Sequence, residues 1–168
     1  MTILLEKETE IIFEIEYEQI AHEVVQAALD YVKCPYECEV NILLTDNEGI
    51  RITNNEMRNI DASTDVLSFP MIDFQSEGDF SVAENDISLF NANSGELLLG
   101  DIMISLEKVK EQALEFNHSM KREYAFLIAH SMLHLSGYDH MEQEERIRME
   151  QMQEEILQHI GYTRDITD

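Results

Sequence analysis

The stretch Lys121-Arg-Glu-Tyr-Ala-Phe-Leu-Ile-Ala-His130-Ser-Met-Leu-His134-Leu-Ser-Gly137-Tyr-Asp-His140 decides how this chain is read. From Lys121 to His134 it contains neither Gly nor Pro and reads as one helix. Residues four apart on a helix share a face, with β-carbons about 6 Å apart, so His130 and His134 can grip one ion. Gly137 stands where helices commonly end in a left-handed residue, and the turn made there can bring His140 round as a third ligand. Three imidazoles leave one tetrahedral position free for water, which is the arrangement of a catalytic rather than a structural zinc site.

The spacing His-x3-His-x2-Gly-x2-His reproduces the metal-binding frame of the metzincin proteases. In that frame the residue after the first His is the Glu that serves as general base, whereas here it is Ser131, which has no useful basicity near neutral pH. A zinc peptidase would have to recruit its base from elsewhere, from Glu123 or Glu142. Zinc lowers the pKa of a bound water to about 7, so an attacking group is available without a carboxylate when the substrate carries charge that the metal and an arginine can neutralise. A phosphodiester fits that description better than a peptide, and the residues point to a zinc-dependent hydrolase with one ion per chain.

Outward from this helix, the pattern predicts a small α+β domain spanning residues 1–168. Glu10–Glu16 is rich in β-branched and aromatic residues and predicts a strand, and Gln19–Lys33 predicts an amphipathic helix that stops before Pro35. Glu39–Thr45 is the next strand, and Asp46 caps a helix running towards Met57. Asp65–Phe69 is a short strand ended by Pro70, which leaves Arg58 in the link before it, a place that often carries catalytic groups. The acidic segment from Ile72 to Glu96 has the composition of a loop. Glu96–Ser105 predicts a strand buried on both faces, and Leu106–Phe116 a helix. Ser119 is placed to cap the metal helix, and Met141–Ile160 closes the chain as a helix with Ile147, Met152, Ile156 and Ile160 on its apolar side. The elements imply a mixed sheet of about four strands packed against several helices, with the metal site on a helix ending at Gly137.

Composition restricts the possible partners. The chain has 35 Asp and Glu against 11 Lys and Arg, a net charge of −24, so non-specific affinity for nucleic acid driven by counterion release is expected to be poor, and a general RNA-binding module is not expected. An enzyme on RNA needs its few cations, such as Arg58, Lys121 and Arg122, gathered near the metal, or a ribosomal partner that delivers the strand. No stretch approaches the roughly 18 apolar residues of a membrane span. Met1–Lys7 lacks the layout of a secretion signal, so a cytoplasmic location is expected. Cys34 and Cys38 read as reduced thiols, with a disulfide or a second metal site as the other reading. Asp139 either orients a ligand imidazole or simply shapes the turn.

Three blocks, in order, resemble the YbeY family of bacterial metal-dependent endoribonucleases. They are Asn54-Asn-Glu-Met-Arg58 leading to Thr64-Asp65-Val-Leu-Ser68-Phe69-Pro70, then Leu99-Gly100-Asp101-Ile102 with Ile104-Ser105, then His130 to His140. The resemblance implies that His130, His134 and His140 hold the metal, that Arg58 is the cation at the scissile phosphate, and that the substrate is single-stranded ribosomal RNA. It further implies a role in small-subunit rRNA 3′ end maturation and ribosome quality control, with the ribosome or its proteins as partners. Ser131 stands where many members have Gly, and Asn59-Ile60 follows Arg58 where a basic residue is common. Two other readings are a zinc metallopeptidase and a non-catalytic ribosome-assembly factor with a structural metal.

Overall fold

The structure is a computed structural model that describes all 168 residues. In chain order it contains β1 (Thr2–Lys7), α1 (Tyr17–Tyr31), β2 (Cys38–Thr45), α2 (Asn47–Arg58), β3 (Val66–Pro70), β4 (Leu97–Ser105), α3 (Leu106–Glu115), α4 (Met120–Leu135) and α5 (Gln143–His159). The strands form one mixed sheet in the order β1-β2-β4-β3. The first three are parallel and β3 runs antiparallel to β4. The expected α+β layout holds.

The parallel core follows from a run of alternating apolar residues. Val40, Ile42 and Leu44 on β2 meet Ile102 and Ile104 on β4, all almost fully buried. Along β4 the inward residues switch from Leu97 and Leu99 to Ile102 and Ile104, a change of parity that a regular strand cannot make. The ladder shows how: Glu39 pairs with Leu98 and Val40 with Gly100, so Leu99 is an extra residue. Gly100 carries φ +148°, and a β-carbon there would lie 2.4 Å from the Phe69 carbonyl oxygen, so only glycine serves.

Helix α4 packs on β3 and β4, and α1, α3 and α5 pack against α4. The opposite face of the sheet is covered only in part: α2 packs on β3 and β4, and Leu67, in register with Met103, is buried at 3% exposure. Leu4 on β1 is 53% exposed, and Asp101 and Met103 on β4 are only half-buried, so the expectation that β4 is buried on both faces is corrected.

A second correction concerns the amino-terminal strand, which is Thr2–Lys7 and not Glu10–Glu16. The alternation in the later segment is used to bury Phe13 and Ile15 without a ladder, and the edge of β2 is already occupied by β1. On α5 the expected Met152 and Ile156 are buried and Ile160 packs on the core, with Met149, Gln153 and Leu157 completing the stripe, whereas Ile147 is 49% exposed. Arg58 is the last residue of α2 and not part of the following link, because Asn59 supplies the left-handed end at φ 59°. The acidic segment is a loop with two short 3₁₀ turns, Phe80–Ala83 and Ile87–Leu89, and it contributes Ile72, Phe80 and Ala83 to the core. No helix is long and apolar enough to cross a membrane.

Candidate metal centre

Helix α4 is buried on nearly every side, from Arg122 to Leu135, which fixes the histidines it carries. Ser119 caps it by accepting from the Arg122 N–H at 3.0 Å, as its position predicts. At the other end the Tyr138 N–H donates to the Leu133 carbonyl and the Gly137 N–H to the His134 carbonyl, each at 3.0 Å, which is the Schellman closure with Gly137 at φ +93°. Phe74 from the acidic segment lies directly over Gly137, where an added β-carbon would approach it to 2.7 Å. The Gly78 N–H also donates to the Ser136 carbonyl at 2.9 Å, so this segment braces the turn that carries His140.

The three rings converge. One nitrogen from each of His130, His134 and His140 lies within 4.8 Å of the others. His134 Nδ1 lies 3.0 Å from the Tyr138 carbonyl oxygen, which can only accept, so Nδ1 carries the proton. His130 Nδ1 lies 3.3 Å from Gln153 Oε1 in the same relationship. In neutral rings both Nε2 atoms are then bare acceptors, and they face each other at 3.0 Å. Two lone pairs at that distance repel unless a cation lies between them. Tetrahedral zinc with bonds of about 2.0–2.1 Å sets its nitrogens about 3.3 Å apart, so the residues fit the ion.

Burial holds both rings neutral. It lowers the His130 pKa despite the Gln153 contact, and it pushes that of His134 down to about 4, with the neighbouring His130 and His140 adding repulsion. Neutral imidazole is the ligand form.

Beside the histidines lies a cavity of about 230 Å³ that is also lined by Asp65, Arg146, Glu150 and Gln153. Gln153 and the Tyr138 carbonyl were not anticipated. For Gln153 a signal existed, since a polar residue within the stripe Met149–Ile156 of α5 demands a buried partner. Arg58 is exposed at the end of α2 and does not line this cavity.

The other expected cations do not gather here. Arg122 is buried, donates to the Tyr162 carbonyl at 2.6 Å, pairs with Glu154 and stacks over Phe126, so it ties α4 to α5. Lys121 is nine residues before His130, about 13 Å away along the helix. Glu123 is bound to His118 at 2.6 Å and to Gln112 at 2.7 Å, and Glu142 does not line the cavity. Ser131 is fully buried and accepts from the Ser68 hydroxyl at 2.9 Å, joining α4 to β3. Asp139 accepts from the His140 N–H at 2.7 Å, so it shapes the turn and does not orient a ring. Cys34 and Cys38 are free thiols with sulfurs 3.6 Å apart.

The family model described as Endoribonuclease YbeY matches residues 3–161. This chain belongs to the YbeY family. The YbeY endoribonuclease of Lachnoclostridium phytofermentans is 57% identical over 165 residues, covering 98% of this chain and all of the relative. That of Agathobacter rectalis is 54% identical with the same coverage, and that of Clostridium perfringens is 48% identical over 145 residues, covering 85% of this chain and 86% of the relative. Among solved structures, the solution structure of TM1509 from Thermotoga maritima matches 95% of this chain and 91% of its own length with a TM-score of 0.55 and 24% identity, a likeness of fold. The YbeY match spans the sheet, the metal helix and α5 together, so the histidines sit in a family framework and not on an isolated helix.

Proposed function

We propose that this chain is a zinc-dependent endoribonuclease that cleaves single-stranded ribosomal RNA, acting in small-subunit rRNA 3′ end maturation and ribosome quality control in the cytoplasm. The observation that carries the reading is the pair of bare Nε2 atoms of His130 and His134 facing each other beside a cavity, with His140 as the third donor, in a chain of this family.

A divalent ion held by these three nitrogens supplies Lewis-acid charge and an acidified water. The remaining work falls to side chains. Gln153 and the Tyr138 carbonyl fix the tautomer and direction of two rings. Arg58, from the end of α2, meets the phosphodiester and balances charge that develops on its non-bridging oxygens. No carboxylate follows His130, and Glu123 is bound within the α3–α4 contact, which supports phosphodiester over peptide chemistry. The net charge of −24 supports delivery of the RNA by the ribosome or a ribosomal protein and not capture from solution.

The test is cleavage of a structured ribosomal RNA fragment by wild-type and chelated protein, with metal content determined on the same preparation. Cleavage that follows the zinc supports the reading. One bound zinc without cleavage, with ribosomes present, would favour an assembly factor with a structural metal.

A further inference from the structure

Arg146 is the one cation that lines the cavity beside the histidines. It stands on the first turn of α5, where its N–H donates to the Glu142 carbonyl at 3.0 Å, and it shares a face of that helix with Met149, Glu150 and Gln153. Half of the six guanidinium groups of the chain are engaged: Arg51 with Glu48 and Asp61, Arg122 with Glu154, Arg148 with Glu77. Arg146 makes no ion pair, although Glu142 and Glu150 stand four residues to either side of it, the spacing at which helix pairs form. Arg58 and Arg164 are also unpaired, but neither lines this cavity.

A free guanidinium facing a metal-binding cluster, in a protein with a threefold excess of acids, is suited to a ligand that brings negative charge with it. Guanidinium groups match phosphate through two parallel hydrogen bonds. We propose that Arg146 holds a phosphate of the RNA strand lying in this cavity, next to the phosphate that is cut; the assignment rests on the ribonuclease reading above. The geometry favours a neighbouring phosphate. Gln153 stands behind His130, whereas Arg146 is two helical turns, about 10 Å, nearer the start of α5, where it lines the same cavity as His140. Arg146 therefore acts in binding the strand and not on the reacting atoms.

The experiment is fluorescence anisotropy with a labelled, 2′-O-methylated single-stranded RNA from roughly 50 to 200 mM salt, using zinc-loaded wild type, Arg146→Ala, Arg146→Lys and Arg51→Ala, alongside cleavage of the unmodified strand. Arg146→Ala should keep its zinc and its melting temperature, bind about tenfold more weakly at low salt, and lower the slope of log K against log salt by about 0.7, the loss of one single-strand phosphate contact. Its KM should rise while kcat stays near wild type. Arg146→Lys should restore the slope with incomplete affinity, and Arg51→Ala should behave as wild type. A wild-type slope in Arg146→Ala, with wild type binding and cutting, overturns the assignment alone. A wild type that cuts no RNA, free or with ribosomes present, overturns the ribonuclease reading and this assignment with it.

Discussion

His130 Nε2 and His134 Nε2 face each other at 3.0 Å while the opposite nitrogen of each ring lies against an acceptor, Gln153 Oε1 or the Tyr138 carbonyl. The helix spacing brings the two rings together, but α5 and the Gly137 turn decide which nitrogens are left bare. His134→Ala should therefore lose stoichiometric zinc, measured by elemental analysis, together with RNA cleavage. A variant that still binds one zinc tightly would contradict the ligand set.

Zinc removal should also lower thermal stability. Binding at a hundredfold excess over the dissociation constant adds about 2.7 kcal/mol, which for a chain of this size is about 5–10 °C in melting temperature. Calorimetry with and without chelator measures it, and an unchanged transition would show that the site is not coupled to the fold.

The metal-free protein should lose stability in mild acid. His134 titrates near 6.5 in the unfolded chain and near 4 when folded. Between those values the unfolded state binds a proton that the folded state refuses, so stability is full above about pH 6.5 and falls as the pH drops towards 4. The effect is on the order of 2 kcal/mol after allowance for the ring's partial exposure. His134→Gln should flatten this part of a urea-midpoint profile; a profile as steep as wild type would assign the loss to other groups.

Gly137→Ala should destabilise the protein by about 2–3 kcal/mol, from a left-handed backbone and a β-carbon pressed into Phe74. Zinc affinity should fall with it, because the same turn places His140. A melting temperature and zinc affinity equal to wild type would show that the turn yields freely.

Arg58→Ala should keep its zinc and fold while RNA cleavage falls by about two to three orders of magnitude, as when a transition-state charge partner is removed. Arg58 is exposed and makes no ion pair, so folding does not depend on it. Unchanged single-turnover cleavage would remove it from the mechanism.

Arg122→Ala should act in the opposite way, on stability and not on zinc. Its guanidinium is buried between α4 and α5, and removing it leaves Glu154 and the Tyr162 carbonyl without their donor, at a cost of about 3–5 kcal/mol. A denaturant midpoint within error of wild type would refute this packing role.

Much of the fold was legible because its signals are local. Asp46 and Ser119 cap α2 and α4 as their positions predict, and Gly137 and Gly161 both take positive φ just after α4 and α5. Errors arose where a local pattern had two uses. Glu10–Glu16 and Thr2–Lys7 are both apolar enough for a strand, and only the free edge of β2 selects between them. The alternation along β4 breaks at Leu99, which no periodicity rule reads as a bulge until Phe69 is seen against Gly100. Arg122 and Glu123 offered charge near the metal helix in sequence, yet burial turned both into packing partners.

The sequence by itself determined the convergence of His130, His134 and His140, because i, i+4 spacing and a glycine helix end are set by backbone geometry within eleven residues. It also determined the mixed sheet and the order of its helices, through hydrophobic period and capping. Only the tertiary structure decided which imidazole nitrogens are bare, which carboxylates and cations line the cavity, and that Arg146 stands there unpaired while Arg122 does not. Those outcomes depend on how α5 and the acidic segment pack against α4, contacts between residues far apart in the chain that no local pattern encodes.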